Sequence, residues 1–159
     1  MGAIGEVDEA NCAIGVAIAA IGDTALSTQL RRIQNEMFDL GADIATPFGT
    51  DFEEHALRIV ARQAERLEEE IDAMNASLDP LTSFILPGGS AAVASLHQAR
   101  AVTRRAERAI VALHEVEPVN LAAIAYINRL SDHLFVAARH LAASQGGDVL
   151  WQPGATRDI

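Results

Sequence analysis

The 159-residue sequence contains no lysine, and all twelve of its basic residues are arginine. It has a single cysteine, Cys12, and only seven aromatic residues: five Phe, one Tyr and one Trp. One cysteine excludes an intramolecular disulfide and fits a reducing, cytoplasmic compartment. Few aromatics beside abundant alanine argue against a β-sandwich and favour closely packed helices. Positive charge is also scarce. The formal net charge of −10 makes the chain as a whole repel nucleic acid and anionic membrane, so neither is an expected partner. The most apolar run, Cys12 to Ile21, spans ten residues, about half of the ~20 a membrane span requires. Its flank of Glu6, Asp8 and Glu9 is acidic where a signal peptide would be basic. None of the five histidines (His55, His97, His114, His133, His140) has a glutamate three residues before it, which removes the di-iron bundle signature. Walker, His-Glu-x-x-His and Gly-x-Ser-x-Gly motifs are missing as well. No side chain reads as an activated nucleophile, so an enzyme of this sequence would draw its reactive atom from a cofactor.

Helical periodicity is the strongest positive signal. Leu26, Leu30, Ile33, Met37, Leu40 and Ile44 step by four and three, as do Leu57, Val60, Ala64, Leu67, Ile71, Met74 and Leu78. Each set forms one apolar stripe on a 3.6-residue helix. Val7 to Ile21 and Leu121 to Ala143 read alike, the latter through Ile124, Ile127, Leu134 and Leu141. Breakers at Gly22-Asp23-Thr24, Pro47 to Gly49, Asp79-Pro80, Pro87-Gly88-Gly89 and Glu117-Pro118 separate the segments. Five helices and no strand are expected, as an all-α up-and-down bundle in one domain over residues 1–159. The stretch from 146 onward reads as an irregular tail.

Four constellations could carry chemistry. Between Gly88 and Leu113 stand Arg100, Arg104, Arg105 and Arg108 against one acid, Glu107. Arg100, Arg104 and Arg108 lie along one side of a helix, opposite Leu96, Ala99, Val102, Ala106, Ile110 and Leu113. Guanidinium forks suit bidentate phosphate contacts; the plainer reading is a solvated face or an ion-pair rim between subunits. On the last helix, Asn128, Ser131, Asp132 and Phe135 share a face that is either ordinary surface or the wall of a mixed polar and apolar site. In the loop Ser83 to Ser90, Phe84, Ile85 and Leu86 need covering by core or by a large hydrophobic ligand, and Ser90 is a plausible N-cap. Gly5 to Asn11 reads as an acidic first turn that complements the helix dipole. His97 reads as a satisfied core or face histidine.

Several blocks, in order along nearly the whole chain, resemble the PduO-type ATP:cob(I)alamin adenosyltransferases. They are Val7-Asp8-Glu9-x-Asn11, Ser83-Phe84-Ile85-Leu86-Pro87-Gly88-Gly89, Leu96-His97-x-Ala99-Arg100, Arg104-Arg105-Ala106-Glu107-Arg108 and Tyr126-Ile127-Asn128-Arg129-Leu130-Ser131-Asp132-x-Leu134-Phe135. Gly147-Asp148-Val149-Leu150-Trp151 is similar to the C-terminal end of some members. The resemblance implies a homotrimer of five-helix bundles with active sites between neighbouring subunits. There the 5′-deoxyadenosyl group of ATP passes to cob(I)alamin, giving adenosylcobalamin and triphosphate. Cobalt supplies the nucleophile, and arginines with Mg²⁺, bound through the ATP phosphates rather than by protein side chains, stabilise the leaving group.

By family position, Arg104 contacts the phosphates, while Arg105, Glu107, Arg108 and Asn128 complete the ATP pocket. Phe84 meets the lower face of the corrin and displaces the axial base, leaving a four-coordinate cob(II)alamin that is easier to reduce. Phe135 lines the same cobalamin pocket. Asp8 is implied to pair with Arg100 of an adjacent subunit. An adenosylcobalamin-dependent acceptor enzyme is a further implied partner. Members of the family carry an N-terminal Thr-x-x-Gly-Asp-x-Gly-x-Thr loop followed by a lysine, whereas these residues begin at Met1-Gly2-Ala3-Ile4. An incomplete triphosphate cradle is therefore expected within them. A non-catalytic cobalamin-binding or delivery module, or a structural bundle with an arginine rim, would be compatible with the same helical pattern.

Overall fold

The computed structural model describes residues 1–157. Five helices follow one another: α1 (Gly2–Ile21), α2 (Ala25–Ala45), α3 (Ala61–Asn75), α4 (Ala91–His114) and α5 (Leu121–Ala143), with a 3-10 turn at Glu53–His55. Local chemistry marks several of the starts. Thr24 Oγ1 accepts from the Ser27 amide while Ser27 Oγ accepts from the Thr24 amide, closing a capping box on α2. Ser90 caps α4 through the Val93 amide, as expected, and the Asn120 side chain caps α5 through the Ala122 amide. Gly22, with φ of 79°, ends α1 in a conformation that L side chains rarely adopt.

The all-α bundle expected from the periodicity is the observed one. α1 lies between α2 and α4, α4 packs on α5, and α3 lies on the far side of α5. The α1–α4 contact is the most extensive. Ala10 and Ala17 on α1 and Ala99 and Ala106 on α4 are fully buried, and such small side chains let two helices approach closely. Ile14, Leu30, Ile33, Leu40, Leu67, Leu96, Ile110, Ile127, Leu130 and Leu134 fill the interior without solvent contact. Burial of this kind stabilises by roughly 2 kcal/mol per large side chain.

Two boundaries differ from the periodic reading. α1 begins at Gly2, so Glu6, Asp8 and Glu9 sit beyond its first turn and do not serve its dipole. α3 begins at Ala61 rather than near Leu57, and Leu57 and Val60 are exposed. The cause is Asp43, near the end of α2 and almost fully buried. Its carboxylate accepts from Arg58 Nη1 (2.7 Å), the Ile59 amide (2.8 Å) and Asn120 Nδ2 (2.7 Å). Holding these groups keeps residues 58–60 out of the helix and ties two connections, α2 to α3 and α4 to α5, to one charge.

A second polar knot crosses α2, α3 and α5. Arg32 donates two bonds to Glu70, His133 Nε2 lies 3.0 Å from the same carboxylate, and Glu36 accepts from Tyr126 (2.9 Å) and Arg66 (3.0 Å). Burial alone would push Glu70 upward. Hydrogen bonds from His133 and Arg32 outweigh it and hold the carboxyl at about 2, against 4.5 for a free one. Burial, followed by the charge of Glu36, raises the Tyr126 phenol well above its ordinary value, so it remains a donor.

The tail is more ordered than its composition suggests. Gly146 and Gly147, with φ of 100° and 91°, reverse the chain after α5. The largely buried pair Arg139 and Asp148 (3.0 Å) then fastens it to the bundle. Beyond this point Ile85 and Leu150 form an antiparallel bridge, the β structure present among the described residues.

Candidate active site

α4 turns Leu96, Ala99, Thr103, Ala106 and Ile110 into the core, which leaves its arginines on the outer face. Arg104 donates to one Glu107 oxygen. The other oxygen accepts from Asn128 Nδ2 on α5 at 2.8 Å. Glu107, only 12% exposed at its side chain, therefore joins the two helices and fixes the guanidinium beside them. Arg108 Nη1 donates to the Arg104 carbonyl at 3.1 Å. Arg104, Glu107, Arg108 and Asn128 thus form one cluster. Most guanidinium donors of Arg104 and Arg108 remain free, in the fork geometry that meets phosphate oxygens.

Arg105 points elsewhere. Its guanidinium pairs with Glu6 and Glu9 on α1, and these two bonds, Glu9 first, raise its pKa. Few acidic partners are visible near the arginines in sequence, because these acids lie almost a hundred residues away and arrive by the α1–α4 packing.

Arg100 is one turn before Arg104 and faces a different environment. Its guanidinium carbon lies 5.6 Å from the Phe135 ring centroid, and its buried Nε has no hydrogen-bond partner. Arg100 and Phe135 line a cavity of about 420 Å³ with Leu81, Ser83, Phe84 and Ile85. Phe84 is 78% exposed, so its ring is presented to whatever enters. His97 departs from the satisfied histidine expected from sequence: it is buried, 6.4 Å from Phe135, and its Nε2 is unpartnered. Burial, then the charge of Arg100, lowers its pKa and keeps the ring neutral near pH 7.

The polar face of α5 does not act as one wall. Ser131 is buried and donates to the Asn128 carbonyl, while Asp132 pairs with Arg129. Asn128 and Phe135 alone of the four reach the two clusters described. Asp8 is exposed on the opposite flank, where it borders a groove between α1 and α2 with Ile4, Met37 and Phe38. Within one chain it does not meet Arg100.

Two adjoining half-sites result, a guanidinium cluster with unused donors and an apolar cavity with an aromatic rim. The first suits a polyanion. The second suits a broad hydrophobic ligand. Sequence reading missed the residues that brace them: Glu6 and Glu9 against Arg105, Arg139 on α5, and Asp148 and Trp151 in the tail. The block Gly147 to Trp151 was the available signal for the latter.

Comparison with known proteins gives one consistent result. Residues 1–141 match the family model described as cobalamin adenosyltransferase. A corrinoid adenosyltransferase of Mycobacterium tuberculosis is 48% identical over 159 residues, covering 98% of this chain and 81% of that protein. One from Bacillus subtilis is 41% identical over 156 residues, covering 95% and 79%. Among solved structures, a phenylalanine-substituted variant of the PduO-type ATP:corrinoid adenosyltransferase of Lactobacillus reuteri, complexed with cobalamin and ATP, superposes with a TM-score of 0.87. It is 40% identical, over 94% of this chain and 84% of that one.

Proposed function

The chain belongs to the cobalamin adenosyltransferase family, and from that premise we propose how its two half-sites divide the work of an ATP:corrinoid adenosyltransferase. The reaction transfers the 5′-deoxyadenosyl group of ATP to cob(I)alamin. Cobalt donates an electron pair to C5′, the C5′–O bond breaks, and triphosphate leaves with that bond's electrons. The charge that develops is on the leaving group. What a protein must supply is therefore positioning and cationic donors rather than a nucleophile of its own.

The single observation that carries the proposal is the Arg104–Glu107–Asn128 cluster. Arg104 contacts the triphosphate, held in place by Glu107, while Arg108 adds a second guanidinium and Asn128 links the nucleotide to α5. Arg105 closes the pocket from the α1 side, partly neutralised by Glu6 and Glu9. Mg²⁺ supplies further charge neutralisation when bound. Among the described residues no three His, Cys, Asp or Glu side chains converge as a metal cage. Phe84 and Phe135 line the corrin pocket, Phe84 from below the ring, where an axial base would otherwise sit.

We also propose that the chain acts as a homotrimer and as one domain, with Asp8 of one subunit meeting Arg100 of the next. The exposed Asp8, the 71% exposed Phe38 beside it and the orphaned Arg100 Nε support this. No helix of the described residues is long and apolar enough to cross a membrane. A cytoplasmic setting, and handover of product to an adenosylcobalamin-dependent acceptor enzyme, complete the proposal.

The test is direct. Protein mixed with ATP and reduced cobalamin should develop the visible spectrum of adenosylcobalamin and release triphosphate in equal amount. Corrin binding with no cobalt–carbon bond formed would overturn the enzymatic reading in favour of a carrier.

A further inference from the structure

The segment that presents Phe84 is held chiefly by the tail rather than by the helices. Leu86 N donates to the Val149 carbonyl (2.7 Å), Trp151 N to the Phe84 carbonyl (2.8 Å), and Ser83 Oγ to the Trp151 carbonyl (2.9 Å). The Trp151 ring meets the Phe84 ring edge-on, with centroids 6.0 Å apart and planes inclined by 60°. That is a favourable aromatic geometry. The tail itself is anchored by the Arg139–Asp148 pair and by the Gly147 amide, which donates to the Ala142 carbonyl.

An exposed phenylalanine on a loop rich in proline and glycine would otherwise sample several rotamers. Here its backbone oxygen and its ring are fixed by the same residue. Arg139 on α5, Asp148, Trp151 and Phe84 form an unbroken line from the bundle to the cavity rim. Three of its members lie outside the helix pair that carries the arginines.

We propose that Trp151 is a positioning residue for the reaction, setting the ring of Phe84 against the corrin through the tail strap. The proposal rests on the placement of Phe84 beneath the corrin. Trp151 contributes no group to ATP, and its effect is transmitted through Phe84.

The experiment uses the full chain with ATP and cob(II)alamin, reading the magnetic circular dichroism signature of the four-coordinate species and the steady-state constants. Trp151→Ala should reduce the four-coordinate fraction and lower kcat roughly three- to tenfold, the range an aromatic pair of this kind supports. The KM for ATP and the melting temperature should stay near wild type. Trp151→Phe, which keeps an edge-on ring, should restore most of the signal. In the double variant with Phe84→Ala, loss of Trp151 should add nothing to the loss from Phe84→Ala alone.

A wild-type spectrum and kcat in Trp151→Ala would overturn the inference. So would a loss that adds to that of Phe84→Ala, or one that Trp151→Phe fails to restore. Retention of the four-coordinate signal in Phe84→Ala would instead overturn the underlying placement of Phe84, an outcome read from a different variant. Should Trp151→Ala melt markedly lower, Arg139→Gln decides. It loosens the strap from the bundle side and must produce the same spectral loss.

Discussion

Two clusters of arginine and glutamate occupy helix interfaces of this molecule, and they are built on opposite terms. Between α2, α3 and α5, Arg32 gives two donors to Glu70, and His133 and Tyr126 complete the set with little solvent access. Between α4 and α5, Arg104 engages Glu107 with one nitrogen and Arg108 uses one on a backbone oxygen. The first cluster is closed, and its charges answer one another. The second is open, and its carboxylate holds an arginine in place while leaving donors for a ligand. Similar residue types knit helices together in one place and stand open to solvent in the other, and exposure of the arginine side chain separates them: 28% for Arg32 against 46% for Arg104.

The largest effect should come from the open cluster. Arg104→Ala should lower adenosylation by about 10²- to 10³-fold, as for loss of a donor to developing negative charge, with an unchanged unfolding curve. Near-normal turnover would remove the distinction between the clusters. Glu70→Ala in the closed cluster should reverse the pattern. Leaving Arg32 and His133 without their acceptor should cost about 3 kcal/mol in urea unfolding, while kcat moves little.

The closed cluster also has a pH signature. Glu70 titrates near 4.5 unfolded and near 2 folded, so the unfolded chain binds the proton first as pH falls. Its contribution is present above pH 4.5 and should be lost progressively toward pH 2. Glu70→Gln should flatten the acid limb of a stability–pH curve, and an unaltered limb would assign acid sensitivity to another group. The smallest effect belongs to Arg105, already paired to Glu6 and Glu9. Arg105→Ala should raise the KM for ATP only a few-fold, well short of the Arg104 variant, as ATP titration of the two would show.

Much of the fold was legible because helix periodicity encodes burial directly. Leu30, Ile33, Met37 and Leu40 of the α2 stripe and Ile127 and Leu134 of the α5 stripe are buried, and Leu26, Ile44, Ile124 and Leu141 pack half-buried against them. Leu57 and Val60 misled because a repeat of three and four describes spacing alone. Whether a helix reaches them depended on Asp43, a buried charge contributed by another segment. Of the site, the grouping of Arg104, Glu107 and Arg108 was local and could be read from one helix. The engagement of Arg105 by Glu6 and Glu9, the stacking of Arg100 on Phe135 and the orphaned nitrogen of His97 were not. Each depends on which helix lies beside α4, and no short-range pattern specifies that.

The bridge between Ile85 and Leu150 carries a consequence for how the molecule assembles. The arginine cluster needs only α4 and α5, neighbours along the chain, and can form as soon as they pack. The aromatic rim waits for a strap some sixty residues further on, a contact whose loop closure comes late. In a chain emerging from the ribosome, the guanidinium cluster would be in place before the aromatic rim. A nascent or nicked chain ending after Ala143 would then fold as a bundle with its arginine cluster formed and Phe84 left without its strap.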